Sequence, residues 1–171
     1  MTRKKAKIAL KYALSGLWWA LLLIGGVCTA IFLSAHLRGE IPQIGGYSVM
    51  HIVSPSMEPT IETNSYILIK RVDPTEIAQN DVICFYSTDP NIYGYPNTHR
   101  VVEEPYEENG KLLFTTKGDR NPLPDNVPAE GERLIGVYVK NLGILTAFLR
   151  FLTQHFMVVL LFLVLLGAGC V

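Results

Sequence analysis

A serine hydroxyl does nucleophilic chemistry only when a base removes its proton and the backbone holds it out to a substrate. The run Ser54-Pro55-Ser56-Met57-Glu58-Pro59 offers one: it follows directly on the β-rich string YSVMHIV (residues 47–53), and Pro55 and Pro59 stiffen the backbone on both sides of Ser56. By itself Ser-Pro-Ser is an ordinary turn. Two later strings could give it partners. Thr98-His99-Arg100-Val101-Val102 sets a histidine in a predicted strand, and Lys117-Gly118-Asp119 follows another, with Asp125 six residues further on. An imidazole with an ordinary pKa near 6.5 can take and return a proton near neutral pH. A carboxylate can hold its tautomer and stabilise the imidazolium.

Each of these residues also has a plain reading. His99 alone is a half-exposed strand histidine, and Asp119 alone is a turn cap beside Gly118. His51, five residues before Ser56, reads as a pocket wall or core residue. Lys70, Arg71 and Lys117 read as solvated strand-edge charges, and the acids of residues 103–108 as a solvated loop. Only the joint occurrence points to catalysis.

Six short strings must position these groups: residues 47–53, 66–72, 81–86, 98–102, 111–116 and 134–139. They are rich in Val, Ile, Tyr, Phe and Thr, and Pro, Gly, Asn and Asp punctuate the gaps. Asn109-Gly110 is a strong hairpin signal, read here as joining the strands at 98 and 111. Residues 89–97 and 120–132 read as loops, because their prolines and glycines deny regular structure. The fold expected is mainly β: an antiparallel β-rich domain over residues 36–141, flanked by an N-terminal and a C-terminal transmembrane helix.

The flanks come from composition. Of 171 residues, 49% are hydrophobic and 18% charged, and the apolar excess is concentrated at the two ends. Residues 13–35 hold 23 residues without a charge, about 34 Å as a helix, long enough to span a bilayer and longer than a cleavable signal core. Residues 156–171 form a second uncharged run, approached by residues 142–155, which read as an interfacial segment. Arg3, Lys4, Lys5, Lys7 and Lys11 make residues 1–12 a basic leader, and the 15 acids all lie from Glu40 onward, opposed by the ten bases from Arg38 to Arg150. The leader's charge predicts a cytoplasmic N-terminus and an extracytoplasmic middle. The acidic balance of the rest argues against nucleic-acid binding. Cys28, Cys84 and Cys170 form no Cys-x-x-Cys, and His36, His51, His99 and His155 have no metal-ligand spacing, so neither a metal nor another cofactor is expected.

Taken together, the serine box after an uncharged run, the histidine box and the Lys-Gly-Asp box resemble type I signal peptidases, membrane-bound enzymes that cut signal peptides from exported proteins. His99 before Arg-Val-Val, where the lysine-type members would carry a lysine, is similar to the histidine-type, endoplasmic-reticulum-type branch. The resemblance implies Ser56 as nucleophile, His99 as general base and Asp125 as the orienting acid, with Asp119 as a supporting carboxylate. It also implies an oxyanion hole from the Ser54 hydroxyl and the Ser56 N–H. Val49, His51 and Val53 are the candidate substrate-contacting residues, on a strand that would pair with an extended substrate and close pockets for small side chains. The partners implied are signal peptides of exported pre-proteins, the lipid bilayer and the translocation machinery. A non-catalytic membrane assembly subunit, or a maturase dedicated to a few exported proteins, are the alternatives. The chain departs from the family at Glu62-Thr63-Asn64-Ser65 and at Asn80-Asp81, where Gly-Asp pairs are common, and it lacks the large inserted β domain of many lysine-type members.

Overall fold

A computed structural model describes residues 3–38 and 41–155. The chain divides into two units, Met1–Gly45 and Gly46–Val171. The first is built on one helix, α1 (Arg3–Arg38), which carries the uncharged run of residues 13–35 and continues back through the basic leader instead of starting after it. Leu17, Trp18, Trp19, Leu23 and Val27 on it are exposed. Among the described residues no helix is long and apolar enough to cross a membrane. The second uncharged run expected to span, residues 156–171, lies outside the described residues.

The second unit is mainly β, as its composition predicts. Its large sheet has six antiparallel strands in the order β1-β2-β9-β3-β4-β7. These are β1 (Tyr47–His51), β2 (Tyr66–Lys70), β3 (Val82–Tyr86), β4 (Pro96–Val101), β7 (Thr116–Lys117) and β9 (Leu134–Asn141). A small sheet joins β5 (Tyr106–Glu108), β6 (Lys111–Phe114) and β8 (Ala129–Glu130). Val82, Ile83, Cys84 and Phe85 of β3 are all buried, as a central strand covered on both faces requires. One core cluster gathers Ile77, Ile83, Phe85, Val101, Phe114 and Ala129 from both sheets. That cluster fixes the small sheet and the loops around it relative to β3 and β4.

The six expected strings all contain strands, but the Asn-Gly hairpin differs from the sequence reading. Asn109 and Gly110 have φ of 52° and 75°, the double left-handed turn their residue types favour, and they join β5 to β6 with Glu108 opposite Lys111. The partner is therefore residues 106–108, expected as loop, and not the strand at 98. A two-residue turn can only pair the residues directly beside it. Residues 129–130, also expected as loop, pair with Leu113 and Phe114.

After β9 the chain turns into α2 (Gly143–Gln154), which covers much of the expected approach segment. The Thr146 hydroxyl accepts a hydrogen bond from the Tyr66 N–H at 3.0 Å, tying the helix to β2. Ile144, Phe148 and Phe151, at helical spacing, are exposed.

Candidate active site

The serine box leaves the edge strand β1 through Ile52, which is buried and bonded to Asn64 and Ser65 across the chain. Pro55–Met57 then makes a single 3-10 turn, with Pro55 at its start, where the missing N–H is no loss. Met57 is 1% exposed and plugs the turn into the core, so Ser56 beside it stays partly accessible. The Ser56 carbonyl accepts the Arg120 N–H at 2.9 Å. Gly118 passes so close that a Cβ there would lie 2.7 Å from the same oxygen. The Lys-Gly-Asp box is thus packed directly on the backbone of the serine turn, and glycine is the residue that allows it.

His99 reaches the site from β4, where inward and outward side chains alternate with a local break: Thr98 and His99 are both buried and Arg100 is half-buried. His99 is 6% exposed. Its Nδ1 lies 2.5 Å from Asp125 Oδ2, which also accepts the hydroxyl of the fully buried Thr116 at 2.7 Å. The Asp125 N–H donates to the Thr116 carbonyl at 2.8 Å, so strand β7 fixes the carboxylate from two sides. With Nδ1–H given to Asp125, the imidazole's Nε2 is the nitrogen left to accept a proton. The Ser56 hydroxyl pairs with the Ser54 hydroxyl at 3.1 Å, and no hydrogen bond joins Ser56 to His99 among the described residues. The turn bearing Ser56 nonetheless packs against β4.

Asp119 is held elsewhere. Arg100 grips it with both faces of the guanidinium fork, Nε to Oδ1 at 2.8 Å and Nη2 to Oδ2 at 2.7 Å, and the Thr60 hydroxyl donates at 2.5 Å. The Arg100 guanidinium, with the Thr60 hydroxyl adding to it, holds the Asp119 carboxyl below the usual carboxylate range. The same bonds push the Arg100 guanidinium up. Arg100 also donates to the Asn80 carbonyl at 2.8 Å. The clamp therefore links the strand of His99 (through Arg100) to the serine segment (through Thr60). Arg120 adds a second tie, to Glu58 at 2.8 Å; the Thr63 hydroxyl and N–H, then Arg120, hold the Glu58 carboxyl below its ordinary value. Sequence reasoning missed Arg100, Thr60 and Thr116. Arg100 was within reach, as a cation beside His99 facing an acid in the next box. The two threonines carry no signal, since their partners depend on packing.

The two departures from the family pattern have a common geometry. Asn64 has φ of 61° and Asn80 of 77°, the left-handed region that glycine enters freely and asparagine tolerates best among the other residues. Both segments thus carry an asparagine at a left-handed turn position.

Beside Ser56 lies a groove of about 310 Å³ lined by His51, Val53, Ser54, Ser56, Tyr95 and Asn97, among others. Val49 is exposed but outside it. Of the three candidate substrate-contacting residues of this strand, His51 and Val53 therefore line the groove and Val49 does not. Ser48 and Ile52 are buried and Met50 half-buried, because the even positions face the core, while Val49, His51 and Val53 are on the open side. His51 is thus an exposed wall residue rather than core, and its ring stacks on Tyr66 at 4.6 Å. Among the described residues, strand β1 has β2 on one side and no strand on the other.

No protein-family model matches the chain. It is similar to a curated protein, signal peptidase I W of Bacillus subtilis (strain 168), with 36% identity over 113 residues. That alignment takes in 66% of this chain and 57% of the relative, so the chain spans a little over half the length of the protein it matches.

Proposed function

We propose that the chain is a membrane-anchored serine endopeptidase that removes N-terminal signal peptides from exported pre-proteins, of the histidine-dependent kind of type I signal peptidase. The observation that carries this reading is the His99–Asp125 bond, on a strand packed against the turn that presents Ser56. The similarity to a signal peptidase I supports the substrate class.

In this mechanism an extended precursor adds to the free edge of β1, with its small side chains facing the groove beside Ser56. Ser56 Oγ turns from Ser54 to His99 Nε2 and attacks the scissile carbonyl, while His99 takes its proton. Apo hydrogen bonds of this kind are often loose and tighten in the substrate complex. Asp125 fixes the tautomer and stabilises the imidazolium. The Ser56 N–H and the Ser54 hydroxyl stabilise the oxyanion, and His99 returns the proton to the leaving amine. The acyl-enzyme is then hydrolysed by water activated on the same imidazole.

Anchoring in the bilayer rests on the sequence pattern, 23 residues without a charge after a basic leader, which favours a cytoplasmic N-terminus and an extracytoplasmic serine. Tethering confines the serine to the layer where cleavage sites emerge. The test is cleavage of a synthetic precursor by the full chain in liposomes, with the new N-terminus read by mass spectrometry. Alanine at the first and third positions before the cut should be processed and leucine there refused; no cleavage, or equal cleavage of both, overturns the reading.

A further inference from the structure

A second hollow lies beside His99. It measures about 290 Å³, and its lining includes Phe85, Asp89, Ile92, His99, Leu123 and Asp125. Asn97, near the start of β4, lines both this cavity and the groove that holds Ser56, so one residue borders both hollows. We propose that this cavity is a specificity subsite for the residue that follows the cut, and that it takes a long cationic side chain. The inference rests on the endopeptidase reading above and goes beyond it.

The direction of the chain follows from proton transfer. The imidazole that protonates the leaving amine must touch the nitrogen of the first residue after the cut. If the groove along Ser54 and β1 holds the residues before the cut, the product amine leaves along His99 and its side chain meets the cavity on that ring. The chemistry of the lining follows from its residues. Ile92, Leu123 and the prolines 122 and 124 give apolar walls, on which a methylene stem packs while its charged tip seeks carboxylate or water. Two carboxylates, Asp89 and Asp125, line the cavity and, among the described residues, no lysine or arginine does. Asp125 is committed to His99 and Thr116. Asp89 is not fully used: its Oδ1 accepts the Asn91 N–H and side-chain amide at 2.8 and 2.9 Å, while Oδ2 accepts no hydrogen bond among the described residues.

The loop that carries Asp89 is held in place before any substrate arrives. The Asp89 N–H donates to the buried Ser87 hydroxyl at 3.1 Å. Further along, Arg133 donates to the Tyr93 hydroxyl at 2.6 Å and stacks over its ring at 4.9 Å. A fixed carboxylate with one open oxygen distinguishes lysine from glutamate by charge, whereas the positions before the cut are selected by size. An acidic residue after the cut would face two carboxylates in the lining; the cation beside it, Lys117, donates to the carbonyl of the lining residue Asn121 at 3.3 Å.

The test compares three precursors that differ only in the first residue after the cut, lysine, glutamine or glutamate, by kcat/KM with the full chain in liposomes. Lysine should exceed glutamate by about fivefold or more, the size of one partly exposed charge interaction. Asp89→Asn should bring that ratio toward one, and Asp89→Lys should invert it. A wild-type ratio near one, or an unchanged ratio in both variants, overturns the inference while leaving the peptidase reading intact. Failure of the wild type to cut any of the three overturns both.

Discussion

Replacing Gly118 by alanine tests how the two boxes are held together. The added Cβ would stand 2.7 Å from the Ser56 carbonyl oxygen, 2.9 Å from Asn121 Nδ2 and 3.0 Å from Asn121 Cγ. The Asn121 amide can swing away, but the Ser56 oxygen is backbone and is also bound by the Arg120 N–H. Restoring ordinary contact requires roughly 0.7 Å of movement, and the serine turn is the side free to give, because Gly118 continues directly from β7. Such overpacking typically costs about 1–3 kcal/mol of stability. Its larger effect falls on geometry, since a displacement approaching 1 Å at a reacting group can cost about 100-fold in rate. Precursor cleavage and thermal unfolding of Gly118→Ala should therefore show a loss of kcat well beyond the loss of folded protein, with KM little changed. A variant that folds and cuts like the wild type would refute the claim that the Lys-Gly-Asp box sets the position of Ser56.

Other outcomes follow from the same geometry. Ser54→Ala should lower kcat by about 100-fold, as expected for one lost oxyanion donor, and leave the unfolding midpoint unchanged. Asp125→Asn should lower kcat/KM by about 10³–10⁴-fold through the wrong imidazole tautomer, while Asp119→Asn should act chiefly on stability, costing about 2 kcal/mol by denaturant titration. The Asp119 carboxyl titrates lower in the folded than in the unfolded chain. Its clamp is therefore fully present above the unfolded carboxylate value of about 3.9, and is lost as pH falls through the lower folded value. Stability measured below about pH 4 should consequently fall less steeply in Asp119→Asn than in the wild type.

The strands were legible because each is a short apolar string between breakers, and β3, buried on both faces, is also the one without polar alternation. Pairing was less legible. Asn109-Gly110 fixes the turn, but its short upstream strand, Tyr106–Glu108, is exposed and acidic, so nothing in its composition marks it as paired. The faces of β1 run against composition, since Ser48 is polar yet buried while Val49 and Val53 are apolar yet exposed, so side-chain chemistry does not mark which face of this strand meets the core. At the site, the three boxes and their order, read through the resemblance, singled out Ser56, His99, Asp119 and Asp125 and named Asp125 as the partner of His99. Residue types could not show that Asp119 is bound by Arg100 and Thr60, because that depends on how β4 and β7 pair.

Catalysis of the kind proposed requires Ser56 and His99 to act as one unit, although the Ser56 hydroxyl is bonded to Ser54. Single-turnover cleavage by Ser56→Ala, His99→Ala and the double variant measures this directly. Groups that act together lose their function together, so the double variant should be no slower than the slower single one. Losses that multiply, or a His99→Ala protein that cuts at the wild-type rate, would contradict the account.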